Sequence, residues 1–470
     1  MVTITDLREC WVQVLATFVA TFTSLSNGMS YAWSAPMLPY FLSNSSHIPI
    51  TPEQFDQVEP MFFYGALAGM PLSVFIINCL GRKHCLLLSA SLTCSYWLML
   101  LFTYDWNVVY AARFLAGIAL NFFIAGPMYI AEIAEPRIRG FLAAIIYIMV
   151  QMGFLIVYAI GSYFPYYAVP AIGAVLSATK ICMFPFMPES PYYYVYVDKP
   201  HEAKASLKKL RSKKTNLKKE LEEIRLAVYR QKKEKGRLQD LFLISSNRKA
   251  LLLTLMLNAL QHCIGSGIII MNIHTILGKS IALYFDVSLS AIFVGVFMLS
   301  GVLLASAIID QIGRKQLLMI SSVLTGSVLL IISIYLHLKH VGYNVDALSW
   351  IPVICILIYS ATFTLGLGTV PMVLTAELFP VKVKTYCIAL TELFYMGPGI
   401  IMINLYLVIS KSYDLYVPFY FFTASSFIGA CLIMLFLPET KGKTLEEIQM
   451  ILKGQEFNRD FGQRKTLMQT

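Results

Sequence analysis

Twelve stretches of this chain are apolar over roughly 17–25 residues, the length that crosses a bilayer as a helix. They lie near 10–31, 60–80, 85–104, 107–131, 141–163, 168–187, 250–273, 283–309, 316–337, 350–374, 386–409 and 416–437. In hydrocarbon each backbone N–H and C=O must find its partner inside the protein, so such runs fold as α-helices. The expected fold class is all-α integral membrane, with twelve transmembrane helices. Composition agrees: 57% of residues are hydrophobic and only 14% charged, against about a quarter charged in a soluble chain.

Between these stretches a set of charged and turn residues occurs twice. The first copy is Gly81-Arg82-Lys83, then Glu132 with Arg137 and Arg139-Gly140, then Pro188-Glu189-Ser190-Pro191. The second is Gly313-Arg314-Lys315, then Glu377 with Lys382 and Lys384, then Pro438-Glu439-Thr440-Lys441-Gly442. Two copies of a six-span unit predict two pseudo-symmetric bundles, the repeat architecture of transporters. The expected domains are an N-terminal bundle over 1–187, a basic linker over 188–249, a C-terminal bundle over 250–437 and a tail over 438–470.

The formal charge of +10 is unevenly spread. With the N-terminus inside, about 32 of the Lys and Arg residues fall on one side, which places both termini in the cytoplasm by the positive-inside rule. Arg113, Lys180, Lys279, Lys339 and Lys411 are the exceptions. The linker is dense in Lys but interleaved with Glu and poor in aromatics, so it reads as solvated helix near anionic lipid and not as a nucleic-acid groove. Leu207, Leu210, Leu217, Leu221 and Ile224 recur there at helical spacing. The first apolar run follows Asp6, Arg8 and Glu9 and is too long for a cleaved signal peptide, so it reads as the first span. Asn44-Ser45-Ser46 is a glycosylation sequon in the first predicted outer loop. The nine cysteines are scattered without a CxxC pair, and neither a metal site nor a cofactor is expected.

These motifs identify the chain as similar to sugar porters of the major facilitator superfamily, and within them to insect-type facilitated trehalose and glucose transporters. The resemblance covers roughly residues 10–450. It rests on PESP at 188–191, PETKGKTLEEI at 438–448, Gly-Arg-Lys at 81–83 and 313–315, Pro127 to Glu132 with Arg139-Gly140, and Gly366 to Pro371 with Ala376 to Pro380. It implies the major facilitator fold, a small-molecule solute, and no enzymatic activity; no nucleophile elbow, phosphate loop or metal-ligand cluster stands outside the spans.

Arg82, Glu132 and Arg139 come from three span ends on the cytoplasmic face, as do Arg314, Glu377 and Lys384. Opposite charges there can pair between helices, and Glu189 and Glu439 can cap or bridge the same ends. Pairs that latch the two halves on the inside must separate and hydrate before the protein opens inward, so they are expected to set the balance between states. Pro371 and Pro398, with Gly397 and Gly399, mark two sites where spans ten and eleven are expected to loosen.

The resemblance is weakest in the pocket. Sugar porters hold hydroxyls with amides, which both donate and accept. Their span-seven Gln-Gln reads Gln261-His262 here; the span-five glutamine falls on Tyr147, the span-eight asparagine on Met298, the span-ten tryptophan on Met372, and the span-eleven Asn-Trp pair on Tyr395-Met396. The candidate substrate-binding residues are Gln261, His262, Asn272, Tyr147, Met372, Tyr395 and Glu392, with His274 and Gln151 also polar at membrane depth. Proton-coupled relatives carry an aspartate in span one; this chain has Asn27-Gly28-Met29-Ser30, which favours facilitated diffusion, with a histidine or Glu392 as the remaining groups able to titrate.

Three readings stay open: a uniporter for a hexose or disaccharide; the same scaffold carrying a less hydroxylated organic solute, favoured by Met298, Met372 and Tyr395; and a non-transporting sugar sensor, for which the tail from 449 is short. The plasma membrane is the default location. The oligomeric state, and which solute is carried, stay open.

Overall fold

The computed structural model describes residues 9–122, 125–211, 216–233, 239–280, 286–379, 383–443 and 445–453. Lys382 lies outside them, as does the side chain of Lys384. Among the described residues eleven helices are long and apolar enough to cross a membrane. The first expected span is sectioned into Trp11–Ala20, Phe22–Ala32 and Ser34–Phe41, each too short to qualify alone. Thr21 and Trp33 at the joints keep right-handed helical dihedrals, so the pieces succeed one another as bent sections of a twelfth span. The carbonyl of Ala20, freed at the first joint, accepts from Lys180 Nζ (2.9 Å) and from Thr23 Oγ1 (3.1 Å), which is how a fully buried lysine is accommodated.

Spans two and three share the helix Val58–Phe102, which turns at Gly81 (φ +85°). Span four is Trp106–Phe122 continued by Ala125–Ile133, span five Arg139–Tyr163 and span six Ala168–Met183. In the second half, span seven breaks into Ser245–Cys263, Ser266–Met271 and Ile273–Ser280. Spans eight and nine are Val287–Ile312 and Arg314–Val341; span ten breaks into Trp350–Leu365 and Val370–Leu378; spans eleven and twelve are Lys384–Ser412 and Tyr416–Phe436. The two sites expected to loosen differ. Span ten breaks just ahead of Pro371, which lies in the first turn of the next helix, where its missing N–H is harmless, whereas span eleven stays helical through Pro398.

Large apolar side chains such as Phe75, Val175, Ile401 and Leu435 stay exposed, as a lipid-facing surface requires. The halves meet chiefly through span five against span eight and span two against span eleven. The linker helices Pro191–Tyr196, Pro200–Leu210 and Leu217–Lys233 dock on the N-terminal half. Gln13 Nε2 donates to the Leu210 carbonyl (2.9 Å), Arg211 Nη1 to that of Ile133 (2.7 Å), and Ser206 Oγ to that of Glu189 (2.5 Å). One end of the bundle therefore carries the repeated basic motifs, and the other carries the loop with the exposed Asn44; they are called the basic end and the sequon end below.

Candidate functional site

The breaks in spans seven and ten build the site. Gly265 (φ +81°) turns the chain in a region that L side chains rarely enter, and a Cβ there would stand 2.6 Å from the Phe422 ring. This turn leaves Gln261 and His262 at a helix end between the halves. Gln261 Nε2 donates to the Leu367 carbonyl (2.5 Å), which the break in span ten has released, and the Leu367 N–H donates to Ser321 Oγ (3.1 Å). His262 packs against Tyr395 (4.3 Å between centroids) and edge-on to Phe63 (6.1 Å). A Cβ on Gly399 would come within 3.0 Å of the His262 ring. The Nε2 of His262 is buried and has no hydrogen-bond partner among the described residues.

Aromatic rings from both halves wall this region. Tyr31 meets Phe63 edge-on (6.3 Å) and Phe154 at a tilt (6.0 Å), and its hydroxyl reaches within 2.6 Å of where a Cβ on Gly267 would stand. Nearer the basic end, the Tyr147 hydroxyl donates to Met372 Sδ (2.5 Å), tying span five to span ten. Glu392 on span eleven lies within electrostatic reach of Tyr147 on span five and of Tyr395. Gln151, one turn beyond Tyr147, has a buried Oε1 without a partner among the described residues. The structure thus brings together Gln261, His262, Tyr147, Met372, Tyr395 and Glu392; Met298 is buried in span eight. Apolar faces beside a few free polar atoms suit an amphipathic solute with a hydrogen-bonding edge.

Asn272 is engaged elsewhere. Its Nδ2 donates to Glu59 Oε2 (3.0 Å), and Ser34 Oγ lies 3.0 Å from Glu59 Oε1. Buried Arg113 lies within electrostatic reach of Glu59, donates to the Ser30 carbonyl (2.6 Å), and sits over the rings of Phe62 (4.8 Å) and Trp33 (5.4 Å). The carboxylate near Arg113 therefore comes from span two, not span one. Sequence reading missed Glu59; its one signal was an acidic residue followed by Pro60 at the mouth of an apolar run, which looks like an ordinary loop edge.

At the basic end the charged residues are arranged in duplicate. Arg82 grips Glu132 Oε1 through Nη2 (2.8 Å) and Nε (3.1 Å), and Arg314 grips Glu377 Oε1 at 2.9 and 3.1 Å. Glu189 accepts from the backbone N–H of Lys83 (2.9 Å) and Ser190 (2.8 Å), and Glu439 from those of Arg314 (3.0 Å) and Lys315 (3.1 Å). Each carboxylate so occupies the positive start of the helix that follows the glycine turn. Each pair lies inside its own half; among the described residues these charges form no latch between the halves. Arg139 donates to the Ala134 carbonyl (3.4 Å), and Arg137 makes the acidic contacts instead, with Glu9 (3.1 Å) and Glu135 (2.9 Å).

The model of the sugar (and other) transporter family matches residues 16–452. The chain belongs to that family. It is 28% identical over 446 residues to the facilitated trehalose transporter Tret1 of Bombyx mori, covering 94% of this chain and 87% of that one. Tret1 of Drosophila virilis is 27% identical over 94% of this chain, which spans 49% of that longer protein. Among solved structures, the proton:xylose symporter XylE bound to 6-bromo-6-deoxy-D-glucose superposes with a TM-score of 0.74 at 20% identity, covering 94% of this chain and 100% of XylE. A partially occluded, inward-open form of XylE from E. coli gives 0.75, again at 20% identity, over 92% and 99%. These likenesses establish the twelve-helix major facilitator fold of this family member.

Proposed function

We propose that this family member carries a sugar, a hexose or a disaccharide such as trehalose, by facilitated diffusion. The two halves rock about a solute held between His262, Tyr395, Tyr147 and the aromatic wall, exposing it to each side in turn. The observation that carries this reading is the cluster itself, drawn from both halves and holding the unpaired His262 Nε2 and Gln151 Oε1 beside apolar rings. The charge asymmetry supports a cytoplasmic basic end, and the plasma membrane is the location we assign. The contact of Met372 with Tyr147 and of Tyr395 with His262 favours, as a second reading, a solute with fewer hydroxyls than glucose.

The test is uptake of labelled glucose and trehalose by cells expressing the chain, at pH 5.5 and 7.5, beside a His262→Phe variant. Saturable uptake that pH leaves unchanged and the variant reduces about tenfold or more, the loss expected when a buried partner is left unpaired, supports the sugar uniporter. No uptake, with the protein at the surface, overturns it in favour of the second reading.

A further inference from the structure

Apart from the Tyr147–Met372 contact nearer the basic end, most of the polar contacts that cross between the halves lie at the sequon end. Lys411 Nζ pairs with Asp56 (2.5 Å), Asn272 with Glu59 (3.0 Å), and the Tyr163 hydroxyl with Asp286 (2.7 Å). The Tyr158 hydroxyl donates to the Ile270 carbonyl (2.8 Å), and Ser162 meets His274 Nε2 (2.8 Å). These differ in weight. Lys411 is 54% exposed at its side chain and Tyr163 is exposed, so the ion pair and the tyrosine hydrogen bond both compete with water and contribute little. Glu59 is 3% exposed, and its hydrogen bonds to Asn272 and Ser34 are made away from water, where a lost partner costs most.

We propose that Glu59 is the clasp that keeps the two halves shut at the sequon end, and that parting from Asn272 is the step that opens the site on that side. This inference rests on the transport reading above. Glu59 stands on span two and Asn272 on span seven, so no rigid movement of one half against the other preserves their bond. A buried carboxylate that loses a donor must be rehydrated, and water reaches it only when the mouth opens; opening and release are the same event. The N-terminal half keeps a cation within electrostatic reach of Glu59 after the release, because Arg113 is held in the same half by the Ser30 carbonyl and two aromatic faces. The single Ser34 hydroxyl proton lies between Glu59 Oε1 (3.0 Å) and the Met271 carbonyl (3.2 Å), so it can turn from the partner half to the carboxylate as Asn272 leaves.

Met271 is buried beside the clasp. In the full chain at the cell surface, a Met271→Cys variant is exposed to a membrane-impermeant maleimide. Adding Glu59→Gln, or Asn272→Leu, is expected to raise the labelling rate at position 271 about tenfold, as loss of a buried hydrogen bond shifts an equilibrium. Native Cys355, buried in span ten, is expected to label no faster. Asn272→Leu leaves both Glu59 and Arg113 in place, so it decides the matter where Glu59→Gln fails to reach the surface. Unchanged labelling in both variants, or an equal rise at Cys355, overturns the clasp. The measurement needs no solute, so failure of the clasp, read at position 271, is distinguished from failure of the sugar reading, read by uptake.

Discussion

Gly313 and Glu439 meet so closely that a Cβ on the glycine would stand 2.7 Å from a carboxylate oxygen. The glycine turns at φ +105°, and the helix that starts after it offers its first N–H groups to that same carboxylate. Thr440 and Lys441 add their own backbone N–H groups at 2.9 Å each. One acidic side chain so joins the end of span twelve to the turn between spans eight and nine. Gly81, Lys83 and Glu189 repeat the device in the first half, with the Tyr193 ring 2.6 Å from where a Cβ on Gly81 would stand.

Gly313→Ala is therefore expected to destabilise the C-terminal half by more than the ~1–2 kcal/mol that a left-handed backbone alone costs an L residue, because it also displaces Glu439. Gly442 is the control: it has φ +68° with nothing within 4 Å of its Cβ position. Thermal unfolding in detergent checks this, with a clearly larger fall for Gly313→Ala than for Gly442→Ala.

The two carboxylates respond to acid in opposite ways. Burial works to raise the Glu439 carboxyl, yet the backbone N–H groups of Lys441, Arg314, Lys315 and Thr440 outweigh it and hold the group below its ordinary 4.5. Its stabilisation is thus complete above pH 4.5 and is lost as pH falls through the lowered folded value. Glu189 is buried more deeply, and desolvation pushes its carboxyl up despite the N–H groups of Ser190 and Lys83. Its ionised form costs stability as pH rises through the raised value. Unfolding temperatures measured from pH 7 to pH 3 should show a flatter acid limb in Glu439→Gln than in the parent, with the parent the more stable at pH 7.

Much of this was legible in the sequence because the period and length of apolar runs report helices directly, and because a repeated motif reports pseudo-symmetry. The pairs Arg82–Glu132 and Arg314–Glu377 could be named in advance from their types and span ends. Which half each pair would bind within could not, because spacing along the chain does not say which helix ends are neighbours in a given state. The contact of Glu59 with Asn272 was hidden for the same reason: partners separated by more than two hundred residues leave no local signature. The loosening expected of span eleven does not appear, since Pro398 is tolerated inside a long helix, whereas span ten does break ahead of Pro371, beside Gly366, whose Cβ position lies 2.4 Å from Ser321.

Asn44 is exposed in the loop between Phe41 and Thr51. With the sequon end outside the cell, the expressed chain should carry one glycan there, lost with glycosidase and absent from Asn44→Gln. A band that neither treatment shifts, together with antibody access to the basic end in intact cells, would reverse the assigned orientation.

Gln261 separates a structural role from a solute-binding one. One of its two amide hydrogens is spent on the Leu367 carbonyl, so Gln261→Ala leaves a buried acceptor unpaired at the break in span ten, a loss of about 1–3 kcal/mol. His262 carries no such duty at Nε2. The expected outcome is that Gln261→Ala lowers both the unfolding temperature and the maximal rate of uptake. His262→Phe, by contrast, should raise KM while the unfolding temperature stays within a degree or two of the parent. Were Gln261→Ala to raise KM alone, with the protein as heat-stable as before, the amide would be a solute ligand that leaves Leu367 during transport, and span ten would need another support for its break.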